Sequence, residues 1–227
     1  MNGPSASGPF ASDLFPEPWP EGFAHLPGYF DEEQQRALLR TVAAALPAAP
    51  FFQPRMPRTG VPTSVVMTNL GSLGWVSDRE GGYRYQPLHP ETDAPWPAMP
   101  EALTSLWRDV TPYPHLPECC LVNWYQSDRA AKMGAHIDND EHDARAPIVS
   151  VSLGDTAIFR LGNLTRGGPT RAVTLHSGDV VVLAGPSRRR YHAVSKVHYG
   201  SSALLPTDAF PGGGRINLTL RRVGKPA

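Results

Sequence analysis

His136-Ile137-Asp138, a second histidine far downstream at His192, and the run Arg215-Ile216-Asn217-Leu218-Thr219-Leu220-Arg221 are the residues whose types and spacing could do chemistry in this chain. Two imidazoles and a carboxylate brought together on a rigid β scaffold can occupy one face of an octahedral Fe(II) and leave three positions open for substrate and O₂. Side chains two residues apart on a strand share a face, so His136 and Asp138 project together, as adjacent ligands must. By the same period, Ile216, Leu218 and Leu220 fall on one side of the C-terminal strand, and Arg215, Asn217, Thr219 and Arg221 on the other. A strand with two guanidiniums on one face is suited to line a pocket for an anion. A dicarboxylate co-substrate would give each arginine fork a carboxylate to hold. Asn123 and Tyr125, again two apart, add an amide and a phenol that could orient the same small molecule.

Each part alone is weak. A His-x-Asp beside an Asp-Asn-Asp-Glu loop is more often a solvated turn, and an isolated Arg-x-Asn-x-Thr-x-Arg strand is more often a charged edge strand. Their joint occurrence is what narrows the reading.

These residues need a scaffold of short strands, and the chain after Pro117 reads that way. Cys119–Tyr125, Ile148–Leu153, Thr156–Leu161, Ala172–Leu175, Val180–Leu183, Tyr191–Val194 and Arg215–Arg222 are β-type runs separated by glycine-rich or Gly-Asp turns. Strands at this spacing predict a sandwich or jelly roll. Upstream, Asp31-Glu32-Glu33-Gln34 has the form of a capping box and opens an amphipathic helix through Leu38, Leu39, Val42 and Leu46, which Pro47 stops. A second helix starts near Pro100 and carries Leu103, Leu106 and Trp107. Thr63–Thr68 reads as a short strand. Gly71 to Pro97 reads as a long irregular segment with Trp75, Tyr83, Tyr85 and Trp96, of the kind used as a lid. The expected organisation is a Pro/Gly/Ser-rich tail over 1–20, helices and lid over 21–117, and a β core over 118–227, forming one structural domain.

The 21 basic and 21 acidic residues cancel, so nucleic-acid contact must come from local patches and not from a global field. One such patch is Arg188-Arg189-Arg190, just before His192, which reads equally as a solvated strand end or a phosphate-gripping edge. Cys119 and Cys120 are adjacent in an apolar run, which excludes a disulfide framework and reads as two core thiols. Trp96 and Trp107 read as packing residues. His89, His115, His142, His176 and His198 read as surface or hydrogen-bonded groups and not as extra ligands. No apolar stretch of membrane-spanning length and no signal-peptide pattern is present, so a cytoplasmic protein without a membrane partner is expected.

The motifs together resemble the AlkB-type Fe(II)/2-oxoglutarate-dependent dioxygenases. The resemblance runs from Thr63–Asn69 and Leu73-Gly74-Trp75 to the C-terminus, through His136–Glu141, Arg145–Gly154, Gly178–Val182, Tyr191-His192 and the arginine strand. It implies a mainly β fold, a double-stranded β-helix (jelly roll) with N-terminal helices and a substrate-covering lid. It implies His136, Asp138 and His192 as catalytic iron ligands, and Asn123, Tyr125, Arg215, Asn217 and Arg221 as the 2-oxoglutarate site. Arg215 would hold the distal carboxylate, with Arg221 near the one that helps chelate iron. Trp75, Tyr83, Asp140, Glu141 and Arg166 would contact substrate.

The implied cofactors are Fe(II), 2-oxoglutarate and O₂. The implied reaction is oxidative demethylation of bases of the 1-methyladenine or 3-methylcytosine type in DNA, chiefly single-stranded, with RNA as a second substrate. It couples decarboxylation of 2-oxoglutarate to methyl hydroxylation and formaldehyde release, by a monomeric repair enzyme. The chain departs from the family pattern in the loop 126–135, in Pro54 to Pro62, and at Leu183, where a bulkier aromatic is familiar. Two other readings compete. One is the same chemistry on a modified tRNA base, a protein lysine or a small molecule; the other is a jelly-roll binding module without oxygenase activity. The two arginines argue against the second.

Overall fold

The computed structural model describes residues 18–224. Its elements, in chain order, are β1 (Phe23–Leu26), α1 (Glu32–Ala45), β2 (Val66–Gly71), β3 (Gly74–Asp78), β4 (Gly82–Gln86), α2 (Glu101–Val110), β5 (Cys119–Tyr125), β6 (Met133–His136), β7 (Ile148–Gly154), β8 (Thr156–Leu161), β9 (Arg171–Leu175), β10 (Val180–Leu183), β11 (His192–His198) and β12 (Arg215–Arg221). The strands form a major sheet in the order β1-β10-β7-β12-β5-β2, a minor sheet in the order β6-β11-β8-β9, and the separate hairpin β3-β4. All pairings are antiparallel. This is the expected mainly β jelly roll.

β12 lies between β5 and β7, and all seven of its residues are buried. Ile216, Leu218 and Leu220 face outward into a core shared with α1 and α2, where they meet Leu38, Leu39, Leu103, Leu106 and Trp107. The alternate residues face the minor sheet and line the cavity between the sheets. Both helices are held by their own sequence signals. The Asp31 carboxylate accepts from Gln34 N (2.8 Å) while the Gln34 amide accepts from Asp31 N (2.9 Å), completing the capping box. In α2, Pro100 takes the N-cap position, and Leu103, Leu106 and Trp107 are buried.

Several boundaries differ from the sequence reading, for local reasons. The strand read at 63–68 runs from Val66 to Gly71. Thr63 turns back instead, with its N–H on the Pro54 carbonyl and its hydroxyl on Val65 O (2.7 Å). The segment read as irregular, Gly71 to Pro97, contains the β3–β4 hairpin. Asp78 closes its turn by accepting from Glu80 N and Gly81 N, and Gly82 adopts φ +69, which only glycine takes without strain. β11 extends to His198, its pairing with β8 shifting register by one residue at a bulge between Val194 and Lys196. β1 and β6 were not read from sequence. β6, Met133-Gly134-Ala135-His136, lacks β-branched residues and exists through its pairing with β11. Of the tail, residues 1–17 lie outside the described residues. Trp19 packs against Phe23 (centroids 4.6 Å) and beneath the Arg171 guanidinium. Among the described residues no helix is long and apolar enough to cross a membrane.

Trp107 is fully buried and its indole N–H donates to His115 O (3.0 Å). Trp107→Ala should therefore cost about 3–5 kcal/mol. The check is urea unfolding, with a lower midpoint at unchanged slope.

Candidate active site

Three elements bring the metal-ligating side chains together. His136 ends β6, Asp138 follows in the loop, and His192 begins β11 directly opposite His136 in the ladder. Nε2 of His136 lies 3.8 Å from Asp138 Oδ1, and Nε2 of His192 lies 3.6 Å from Oδ2. One ligand atom from each of the three falls within 4.8 Å of the others. The outer nitrogens are fixed: Nδ1 of His136 faces Gly134 O (2.9 Å) and Nδ1 of His192 faces Arg190 O (3.0 Å). These carbonyls place the ring protons on Nδ1 and leave both Nε2 lone pairs pointing inward, the usual outer support of histidine ligands.

The electrostatics suit a cation. Burial pushes His192 down to about 4, against the pull of Asp138, so its imidazole is neutral at physiological pH. Burial alone would raise Asp138. The Arg221 guanidinium, helped by both imidazoles and Arg188, overrides it and holds the carboxyl well below the usual range. An ionised carboxylate beside the neutral His192 imidazole, with His136 completing the two-histidine, one-carboxylate donor set, fits a divalent iron ion.

The cavity, about 1090 Å³, extends from this triad across the inner face of β12 and β5 to the hairpin. That is the upper end of the ~300–1,000 Å³ typical of ligand pockets. Arg215, opposite Tyr125 in the ladder, is 1% exposed, and its Nη2 donates to Ser152 Oγ (3.0 Å). Among the described residues, its Nε and Nη1 have no hydrogen-bond partner, and neither does Arg221 Nε. Buried guanidinium donors left unpaired are costly. A dicarboxylate such as 2-oxoglutarate would satisfy them. Asn123, Tyr125 and Asn217 line the same wall, with Asn217 directly opposite Asn123. The Asn217 amide is itself fixed by Ser150 Oγ (2.6 Å), Val151 O (3.0 Å) and the Thr219 hydroxyl (2.8 Å).

At the mouth, Trp75 and Tyr83 stack (centroids 5.5 Å, 22° between planes), and the Trp75 indole N–H donates to Asp140 Oδ2 (2.8 Å). Arg166 lies across the opening, over the Tyr191 ring at 5.4 Å. Glu141 corrects the sequence reading: it does not line the cavity. Its side chain is buried behind the triad, taking hydrogen bonds from Tyr85 Oη (2.5 Å), Arg221 Nη1 (3.0 Å) and Arg188 Nη2 (2.8 Å). Arg188 likewise is no phosphate grip. It is 3% exposed and also donates to Asp138 O and Ala146 O.

Sequence reasoning missed Ser150, Ser152, Tyr85 and Arg188. The two serines could have been read from the period of β7, whose polar positions alternate with Val149, Val151 and Leu153. Nothing local marks Tyr85 or Arg188, because their partners lie 56 and 47 residues away. Cys119, Cys120, Trp96 and Trp107 are buried as read. His89 is a fully buried structural group on Pro50 O.

Residues 22–221 match the model of the 2OG-Fe(II) oxygenase superfamily. The chain is 51% identical over 201 residues to the alpha-ketoglutarate-dependent dioxygenase AlkB homolog of Caulobacter vibrioides, covering 88% of this chain and 87% of that one. This chain is an AlkB-type member of that superfamily. It is 41% identical to AlkB of Escherichia coli K12 over 222 residues, 94% of this chain and 98% of that protein. The solved structure of OsALKBH1 superposes with a TM-score of 0.71 at 29% identity, covering 91% of this chain and all of that one. The AlkB-type chain is thus an Fe(II)/2-oxoglutarate-dependent dioxygenase that uses O₂.

The depressed pKa of His192 sets a pH dependence for the metal-free protein. The unfolded imidazole takes up a proton near pH 6.5 and the folded one only near 4, so the unfolded state binds more protons between those values and stability falls as pH drops through them. Moving from pH 7.5 to 5 should cost about 2 kcal/mol from this group. Denaturant unfolding of the metal-free protein at both pH values checks this, and His192→Gln should flatten the difference.

Proposed function

We propose that the chain demethylates alkylated nucleic-acid bases oxidatively, with His136, Asp138 and His192 holding iron and Arg215 and Arg221 holding 2-oxoglutarate. The observation that carries the reading is the Trp75–Asp140 pair at the cavity mouth, backed by Tyr83. Methylation at N1 of adenine or N3 of cytosine makes the base cationic and blocks its pairing edge. Aromatic faces and a carboxylate favour such a cation, and flipping costs less once pairing is lost. Bound Fe(II) and 2-oxoglutarate supply the oxidising power for methyl hydroxylation, and the hydroxymethyl product loses formaldehyde to restore the base.

The protein's own groups do the rest. Asp140 accepts from the exocyclic amino group, Trp75 and Tyr83 stack on the ring, and Arg166 screens the strand's charge at the rim. Arg215 and Arg221 fix the dicarboxylate beside the triad, and the apolar wall of Phe159, Leu175 and Leu183 limits water. Relatives matched over shorter stretches are named for nucleic-acid dioxygenase and demethylase activities. The preferred strand is single, where an everted base costs least, with RNA as a second substrate. The enzyme acts as a cytoplasmic monomer.

The test is succinate and formaldehyde release by the Fe(II)-loaded protein with 2-oxoglutarate on a single-stranded oligonucleotide carrying 3-methylcytosine, against its unmethylated twin. Both products should appear only with the lesion. Lesion-independent succinate without formaldehyde would move the chemistry to another substrate. Asp140→Ala should lower base turnover on the order of tenfold or more, as loss of a hydrogen bond to a charged group does. It should leave decarboxylation without substrate intact, whereas His136→Ala should abolish both without unfolding the barrel.

A further inference from the structure

The β3–β4 hairpin makes two contacts with the loop that carries the metal-facing carboxylate. Trp75 on β3 holds Asp140, and Tyr85, paired with Trp75 across the hairpin, reaches Glu141. Tyr85 does not line the cavity. Its hydroxyl donates to Glu141 Oε1 (2.5 Å) and accepts from Arg221 Nη1 (3.2 Å), which itself donates to the same Glu141 oxygen (3.0 Å). The other end of that guanidinium, Nη2, donates to Asp138 Oδ1 (2.5 Å). Arg188 closes the arrangement, joining Glu141 Oε2 to the Asp138 carbonyl.

Among these groups the orientation of Arg221 is set from three directions: Asp138, Glu141 and the Tyr85 hydroxyl. Two of the three belong to the metal-facing loop, and the third belongs to the hairpin that covers the base. We propose that Tyr85 is a positioning residue that fixes the Arg221 guanidinium for 2-oxoglutarate and thereby couples the base-side hairpin to the co-substrate site. When the hairpin settles on a base, the Tyr85 hydroxyl seats Arg221, and co-substrate and base each tighten the other's binding, as linkage requires. The phenyl ring of Tyr85 packs in the apolar cluster around Val76 and Trp96, so removing only the hydroxyl leaves that packing in place. The coupling half of this inference rests on the base-demethylase reading; the positioning of Arg221 does not.

The experiment measures 2-oxoglutarate affinity by calorimetry on the Mn(II)-loaded full-length protein, where no turnover consumes the ligand, with and without a saturating 3-methylcytosine oligonucleotide. Wild type, Tyr85→Phe and the control Tyr29→Phe are compared; Tyr29 donates to Asp109 on the far side of the fold. Tyr85→Phe is expected to raise the 2-oxoglutarate Kd about tenfold, the low end of what losing a hydrogen bond to a charged group costs. It is also expected to abolish the tightening that the oligonucleotide produces in wild type, while Tyr29→Phe changes neither. A Tyr85→Phe protein that binds 2-oxoglutarate as wild type does and keeps the oligonucleotide effect overturns the proposal. An oligonucleotide that fails to bind wild type overturns the demethylase reading instead, and the affinity without it still decides the role of Tyr85. If Tyr85→Phe does not fold, Glu141→Gln, which removes the shared acceptor charge, must raise the same Kd or the proposal fails.

Discussion

Arg221 is a guanidinium buried at the end of a central β strand with two carboxylates, Asp138 and Glu141, against it. Each of these charges would be prohibitive alone in so dry a place. Together they are tolerated, because every carboxylate oxygen facing Arg221 accepts a hydrogen bond from it or from a neighbour. The consequence is rigidity: the loop 138–141 cannot move without exposing an unpaired charge. Asp138 is held ionised beside the neutral imidazole of His192 and the ring of His136, and Asp140 is held at the mouth by Trp75. Two side chains two residues apart, one beside the histidines and one at the cavity mouth, are thus held in place, the first by Arg221 and the second by Trp75.

The anchor works because of where β12 sits. As a central strand it has neighbours on both edges, so its backbone is fully paired and its side chains are free to divide by period. Ile216, Leu218 and Leu220 tie it to the helices, and Arg215 and Arg221 stand at the two ends of its inner face. Gly214 just before it passes within 2.2 Å of Tyr125 O at the position a Cβ would take, so the entry to the strand admits only glycine. The same strand therefore serves core and site, and the unpaired donors of Arg215 are held open by packing that is far from them in character.

Much of this was legible in the chain. Period-2 arithmetic on 123–125 and 215–221 placed six side chains on the right faces, because alternation is a local property that long-range pairing preserves, whereas Asp138 reaches the cavity beside His136 from the loop after β6. The capping box and the apolar stripe of α1 were readable for the same reason. What was not legible depends on distant partners. β6 has no strand propensity and is made by β11; the β3–β4 hairpin hides in glycines and polar residues until Asp78 closes its turn. Glu141 and Arg188 look like surface charges in sequence and are interior groups, since only the fold shows that each has the other as a partner. The Arg188-Arg189-Arg190 run shows the limit well: only Arg189 is exposed, and Arg190 donates to Gly162 O.

The measurement that tests the account most directly is a crystal structure grown without oxygen in the presence of Fe(II) and 2-oxoglutarate. The account predicts a metal bound by Nε2 of His136, a carboxylate oxygen of Asp138 and Nε2 of His192, and a dicarboxylate that satisfies the now-unpaired Nε and Nη1 of Arg215. Iron held by other residues, or a co-substrate that leaves the Arg215 donors unpaired, would contradict it.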